Sequence, residues 1–128
     1  MHDENIALLR RGYEAFATGD LATVRSLAAD DEVWYTPGII FESEYKGADN
    51  VMAYLAKLGQ LTDGTFRVEP EKFLSDGDSV AVVEHLTAKR QGRTLDTHYI
   101  HVYEIHDGKI HAATEYAAEP KKLEAFWS

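Results

Sequence analysis

The chain has 128 residues, a formal net charge of -9 and no cysteine, which fits one domain spanning residues 1–128. Without cysteine there is no disulfide scaffold, thiolate zinc site or cysteine nucleophile. Thirteen basic residues against 22 acidic ones repel a phosphate backbone, so no nucleic-acid partner is expected.

The elements follow in chain order. Ile6, Leu9, Tyr13, Phe16 and Ala17 recur at helical spacing. Asp3 is expected to cap this helix, and Thr18-Gly19 to end it. Asp20 caps a second helix with Leu21, Val24, Leu27 and Ala28 on one face. Asp30, Asp31 and Glu32 read as a solvated turn into a strand, Glu32 to Thr36, which Pro37-Gly38 stops. Ile39 to Gly47 reads as a loop. Asp49 or Asn50 opens a third helix with Val51, Tyr54, Leu55 and Leu58 on one face.

From Phe66 the period becomes that of a strand. Phe66 to Leu74 is a strand with Pro70 at a bulge or an edge. Ser79 to Arg90, Arg93 to Ile105 and Lys109 to Ala118 follow, joined by Gln91-Gly92 and by His106-Asp107-Gly108. Lys121 to Ser128 is a short tail. The fold class is α+β, with three N-terminal helices packed on one face of a curved antiparallel sheet. No apolar run approaches the length of a membrane span, and the N-terminus has no secretory character. A soluble, cytoplasmic protein without a membrane partner is expected.

A two-residue turn at Gln91-Gly92 sets Glu84 opposite Tyr99 and Val82 opposite His101. A three-residue loop at His106-Asp107-Gly108 sets His101 opposite Ala113, Tyr99 opposite Glu115 and Tyr103 opposite His111. One face then carries Glu84, Tyr99, His101, Tyr103, His111 and Glu115, with small Ala113 and Ala117. The reverse face carries Val83, Ile100, Val102, Ile110 and Ala112, and is expected to meet a second copy in a homodimer. A bulge in Ser79–Arg90 would exchange Glu84 for His85 on the polar face.

The order of elements resembles the nuclear transport factor 2-like superfamily, in its SnoaL-like branch related to ketosteroid isomerase. The resemblance rests on Ala15-Phe16-Ala17-Thr18-Gly19-Asp20-Leu21, Trp34-x-x-Pro37-Gly38 and Tyr45-x-Gly47. It continues in Gly92-Arg93-Thr94-Leu95-Asp96, His101-Val102-Tyr103, Asp107-Gly108-Lys109-Ile110 and Phe126-Trp127. It implies a cone-shaped, cystatin-like α+β barrel, its curved sheet wrapped around the three N-terminal helices, with an enclosed pocket. It also argues against ketosteroid isomerase activity. Thr36 stands at the position of that enzyme's general base. Gly12 stands at that of its oxyanion-hole tyrosine, with Tyr13 one step off and directed elsewhere, and His101 at that of its protonated aspartate.

Beside a partner-binding scaffold of the transport-factor type, which the acidic surface allows, two functions from different classes remain. One is a cofactor-independent enzyme moving protons on a small, largely apolar molecule, by isomerisation, cyclisation, dehydration or hydrolysis. His101 would be the acid/base, Glu115 would orient it or take the second proton, and Tyr99 would donate to an oxyanion. Trp34, Thr36, Glu84, Tyr103 and Ala113 would form the binding surface. The other is a non-catalytic, dimeric small-molecule-binding or accessory protein, with a structural His101 and a rim Glu115. Tyr13 and Tyr54 read as packing. No cofactor or metal is expected: His98 and His101 point to opposite faces, and the set His101, His111, Glu115 has no established metal spacing.

Overall fold

A computed structural model describes residues 2–38 and 41–128, the side chains of His2 and Asp3 excepted. The helix α1 (His2–Ala17) already includes Asp3, so that residue lies in the first turn and is not a cap. The helix buries Leu8, Leu9 and Ala15, as the three-four spacing requires. The short α2 (Leu21–Ser26) is capped by Asp20, whose side chain accepts from the Thr23 backbone N–H at 3.1 Å.

Chain entry into the sheet comes earlier than expected. Strand β1 (Ala28–Tyr35) begins straight after α2, so Ala28 belongs to the strand, and Asp30 and Asp31 form its exposed portion. Within the segment read as a loop, Glu44–Lys46 forms a short strand, β2, paired antiparallel to β1. The start of that segment, Ile39, lies outside the described residues. The helix α3 (Ala48–Leu61) follows, with Val51, Tyr54, Leu55 and Leu58 buried.

The meander comprises β3 (Arg67–Asp76), β4 (Ser79–Arg90), β5 (Arg93–His106) and β6 (Lys109–Ala117). The spatial order is β2-β1-β6-β5-β4-β3. All pairs are antiparallel except β1 with β6. The sheet is curved and open. Pro70 sits on the edge strand β3 at a register shift, where its missing N–H costs nothing. The presumed tail is instead a fourth helix, α4 (Pro120–Trp127), burying Leu123, Phe126 and Trp127. Proline at its first position suits a helix start.

The β4–β5 register is as expected, with Glu84 opposite Tyr99 and Val82 opposite His101. The β5–β6 register differs by two residues: His101 pairs with Glu115, Tyr103 with Ala113 and Tyr99 with Ala117. The cause is local. Asp107 and Gly108 have φ of 52° and 71°, making a two-residue turn in which His106 opposes Lys109. A bulge at His111 then restores the phase. Facing is therefore preserved for Tyr99, His101, Tyr103, Ala113 and Glu115. It is reversed near the turn: Ile110 is buried in the core and His111 is half-exposed.

Candidate functional site

Between the concave sheet face and helices α1, α3 and α4 lies a cavity of about 110 Å³. One wall is apolar, including Leu9, Phe16, Leu55, Leu58 and Val68; the other carries Glu84, Tyr99, His101, Tyr103 and Glu115. Its lining reaches exposed residues at Pro37 and Gly38, after β1.

At the polar wall one imidazole stands between two carboxylates. His101 Nδ1 lies 2.8 Å from Glu84 Oε1, and Nε2 lies 3.2 Å from Glu115 Oε2. Glu84 is 1% exposed, and His101 and Glu115 are 7% exposed each. The first contact is a hydrogen bond. The second is close but off the hydrogen-bond line, so Nε2 completes none. Burial alone would lower the imidazole's pKa. The two carboxylates, Glu84's charge foremost, reverse that and hold it at about 10. His101 is therefore an imidazolium at neutral pH.

Hydroxyls from the helices complete the cluster. Tyr13 donates to Glu84 Oε2. With its single proton so used, it accepts from Tyr103, whose hydroxyl lies at 2.9 Å. Tyr54 Oη lies 3.3 Å from Glu115 Oε2 and 3.4 Å from Oε1, and donates there. Burial, aided by the carboxylates' charge, raises the pKa of Tyr54, Tyr99 and Tyr103. It does the same for Tyr13, where the next causes are Tyr103 and Glu84. All four phenols remain proton donors.

Most of the expected site residues meet here. Tyr99 lines the cavity with its ring 6.0 Å from that of His101, and Trp34 lies 5.3 Å away. Glu84, not His85, faces inward; its partners are Tyr13 and His101 rather than Tyr99. His85 instead pairs with Asp96 at 2.7 Å and stacks on His98. Thr36 lines the cavity, but its hydroxyl donates to the Glu42 carbonyl and accepts from the Gly38 N–H. Ala113 is wholly buried beside Trp34 and Tyr103 in the sheet and is not part of the lining. His111 faces Asp31 at 4.0 Å, away from His101 and Glu115, so the three do not converge.

Three polar lining residues escaped the sequence reading. Tyr13 points into the cavity rather than elsewhere, and Tyr54 joins it; their spacing on α1 and α3 could not separate a packed ring from a hydroxyl with a polar partner. Glu32 is 2% exposed and lines the cavity rather than a solvated turn. The period of two through Glu32 and Trp34 was its signal, obscured by the acidic neighbours Asp30 and Asp31.

Residues 9–113 match the SnoaL-like domain family. The chain belongs to that family. The uncharacterized protein Rv0034 of Mycobacterium tuberculosis is 35% identical, over 98% of each chain. The structure of Bal32a, from a soil-derived mobile gene cassette, superposes with a TM-score of 0.95 at 29% identity, over 99% of this chain and 98% of that one. TerC, co-crystallized with polyporic acid, shares the fold with a TM-score of 0.85 at 22% identity, over 98% and 99% of the two chains. Members of this SnoaL-like fold include proteins that act on or bind small molecules. No helix among the described residues is long and apolar enough to cross a membrane.

Proposed function

We propose that the protein is a cofactor-independent enzyme that relocates a proton on a small, largely apolar carbonyl compound held in the cavity. The observation that carries this reading is the His101 imidazolium buried between Glu84 and Glu115 against an apolar wall. Burying ion pairs costs several kcal/mol per ion before their attraction is counted, and perturbed groups of this kind concentrate at functional sites. Support of a coarser kind comes from the fold: TerC was co-crystallized with polyporic acid, and AclR of Streptomyces galilaeus is described as a putative hydroxylase.

The roles follow from protonation. His101, already charged, is the general acid, and Glu115 the base. Glu115 takes a proton from carbon next to the carbonyl, and the bonding pair moves toward the carbonyl oxygen. His101 Nε2 gives that oxygen its proton, and the Tyr99 hydroxyl donates to it as charge develops. Glu115 is then protonated and His101 neutral. The two groups stand 3.2 Å apart, so a small turn of either side chain aligns them, and the proton returns from Glu115 to His101 Nε2, which restores the starting state. Glu84, held by Tyr13, fixes the ring through its hydrogen bond with Nδ1.

The test is deuterium incorporation in D₂O across a panel of cyclic ketones and hydroxyquinones. The wild type should accelerate exchange for at least one compound, and Glu115→Gln should lower that rate about 10²–10⁴-fold. Compounds that bind without exchanging above buffer would support the alternative, a non-catalytic binding protein. That alternative draws on the closed ion cluster, which serves equally as a structural element.

We also propose that the protein is a homodimer through the outer sheet face. The large apolar residues exposed among the described ones, Tyr35, Leu74, Ile100 and Tyr116, all lie there, where Val83, Val102 and Ala112 are only half-buried. Ile110, expected in this surface, is not part of it.

A further inference from the structure

Among the described residues, three buried side-chain polar atoms complete no hydrogen bond: Glu32 Oε1, Trp34 Nε1 and His101 Nε2. All three residues line the one cavity. Buried polar atoms are rarely left unpaired, because each costs ~1–3 kcal/mol. His101 Nε2 stands 3.2 Å from the Glu115 carboxylate, so the two atoms left without a charged partner, Glu32 Oε1 and Trp34 Nε1, mark where a ligand supplies the missing ones. His101 Nε2 belongs to the cluster already described; Glu32 and Trp34 do not.

Glu32 and Trp34 are two apart on β1, so their side chains share a face. The indole N–H is near enough to favour Glu32's carboxylate without being aligned to bond it. One atom is an acceptor and the other a donor. A ligand hydroxyl satisfies both, giving its proton to Glu32 and accepting from the indole. An ammonium would leave the indole N–H unpaired. A carboxylate would meet three carboxyl groups, Glu32, Glu84 and Glu115, in a lining whose one cation among the described residues, His101, is already held between two of them.

We propose that Glu32 Oε1 and Trp34 Nε1 form a second polar subsite of the cavity, which selects compact, uncharged, largely apolar molecules carrying a hydroxyl group. It rests on the reading that the cavity receives a small molecule, and it adds the substrate class. The subsite is independent of proton transfer at His101.

The matched probes are 2-naphthol and 2-methoxynaphthalene. They share a ring system, and only the first donates a hydrogen bond. Affinities are measured at pH 8 by NMR on protein carrying ¹³C-carboxyl glutamate and ¹⁵N-indole tryptophan. The wild type should bind the naphthol about tenfold or more tightly than the ether, as expected for a hydrogen bond to a charged group. The naphthol should move the Glu32 and Trp34 resonances. Glu32→Leu and, separately, Trp34→Phe should bring the two affinities together, while His101→Gln shows whether the preference is read at the neighbouring cluster instead.

Equal affinities in the wild type, or a preference that survives both β1 substitutions, would overturn the proposal. A preference lost only in His101→Gln would assign the hydroxyl to the His101 cluster; the enzyme reading would stand while this subsite fell. Failure of both probes to bind at millimolar concentration would also overturn the subsite, leaving deuterium exchange to decide the enzyme reading.

Discussion

Glu32 is a carboxyl group that folding takes out of water. Burial raises its pKa from 4.5 to about 7, against the smaller opposing pull of Trp34 and of Arg25's charge. Between those values the folded protein keeps a proton that the unfolded chain releases, so stability falls as pH rises through this window. The loss from this group is on the order of 3 kcal/mol. Urea unfolding should therefore show Glu32→Gln gaining on the wild type by that amount between pH 4.5 and 7; a gap that stays constant would contradict the burial. His101 behaves differently. As a lone pocket residue it would tolerate His101→Ala with the fold intact. Set between Glu84 and Glu115, its removal strands two buried carboxylates. The expected cost at pH 7 is about 3–5 kcal/mol. Loss of activity in that variant alone is thus weak evidence for catalysis, and the conservative Glu115→Gln is the better probe.

At the scale of elements, α4 closes the cavity. Leu123 and Phe126 are almost wholly buried, and Trp127 lines the cavity with its ring 5.3 Å from that of Phe41. Phe126→Ala should cost about 3–5 kcal/mol in chemical denaturation, whereas a loose tail would lose almost nothing. That helix was not legible because eight residues are too few for periodicity to stand out. Proline at its first position, the one helical cue, also fits a chain end. The long strands and the β4–β5 register were legible, since Gln91-Gly92 fixes a hairpin by itself. The β5–β6 hairpin was legible only in its facing. A two-residue turn followed by a bulge at His111 looks, in sequence, like a three-residue loop. The error was two residues, an even number, and so left Tyr99, His101 and Glu115 on the face expected of them. Only Ile110 and His111, between turn and bulge, changed sides. The phenols of Tyr13 and Tyr54 were illegible for another reason: their partners lie on strands far along the chain, at Glu84 and Glu115.

Across the whole molecule, the sheet divides the chain's chemistry by face. The outer face holds exposed Tyr116 and Ile100, which lie opposite one another on β6 and β5. A second copy covering them should appear as a dimer in light scattering at micromolar concentration, and Tyr116→Glu should shift it to monomer, since an unpaired charge in an interface is costly. A wild type that is monomeric under these conditions would refute the proposed dimer. The inner face gathers α1, α3, β4, β5 and β6 around a single imidazolium, and the proposed chemistry depends on that charge. Its direct test is the ring ¹⁵N spectrum of His101 followed from pH 6 to pH 9. Both nitrogens should stay at imidazolium shifts throughout, with the Nδ1 proton hydrogen-bonded to Glu84, and the neutral form should appear only as pH approaches about 10. A ring that titrates near 6.5, as a solvated histidine does, would contradict the buried cluster and remove His101 as the acid.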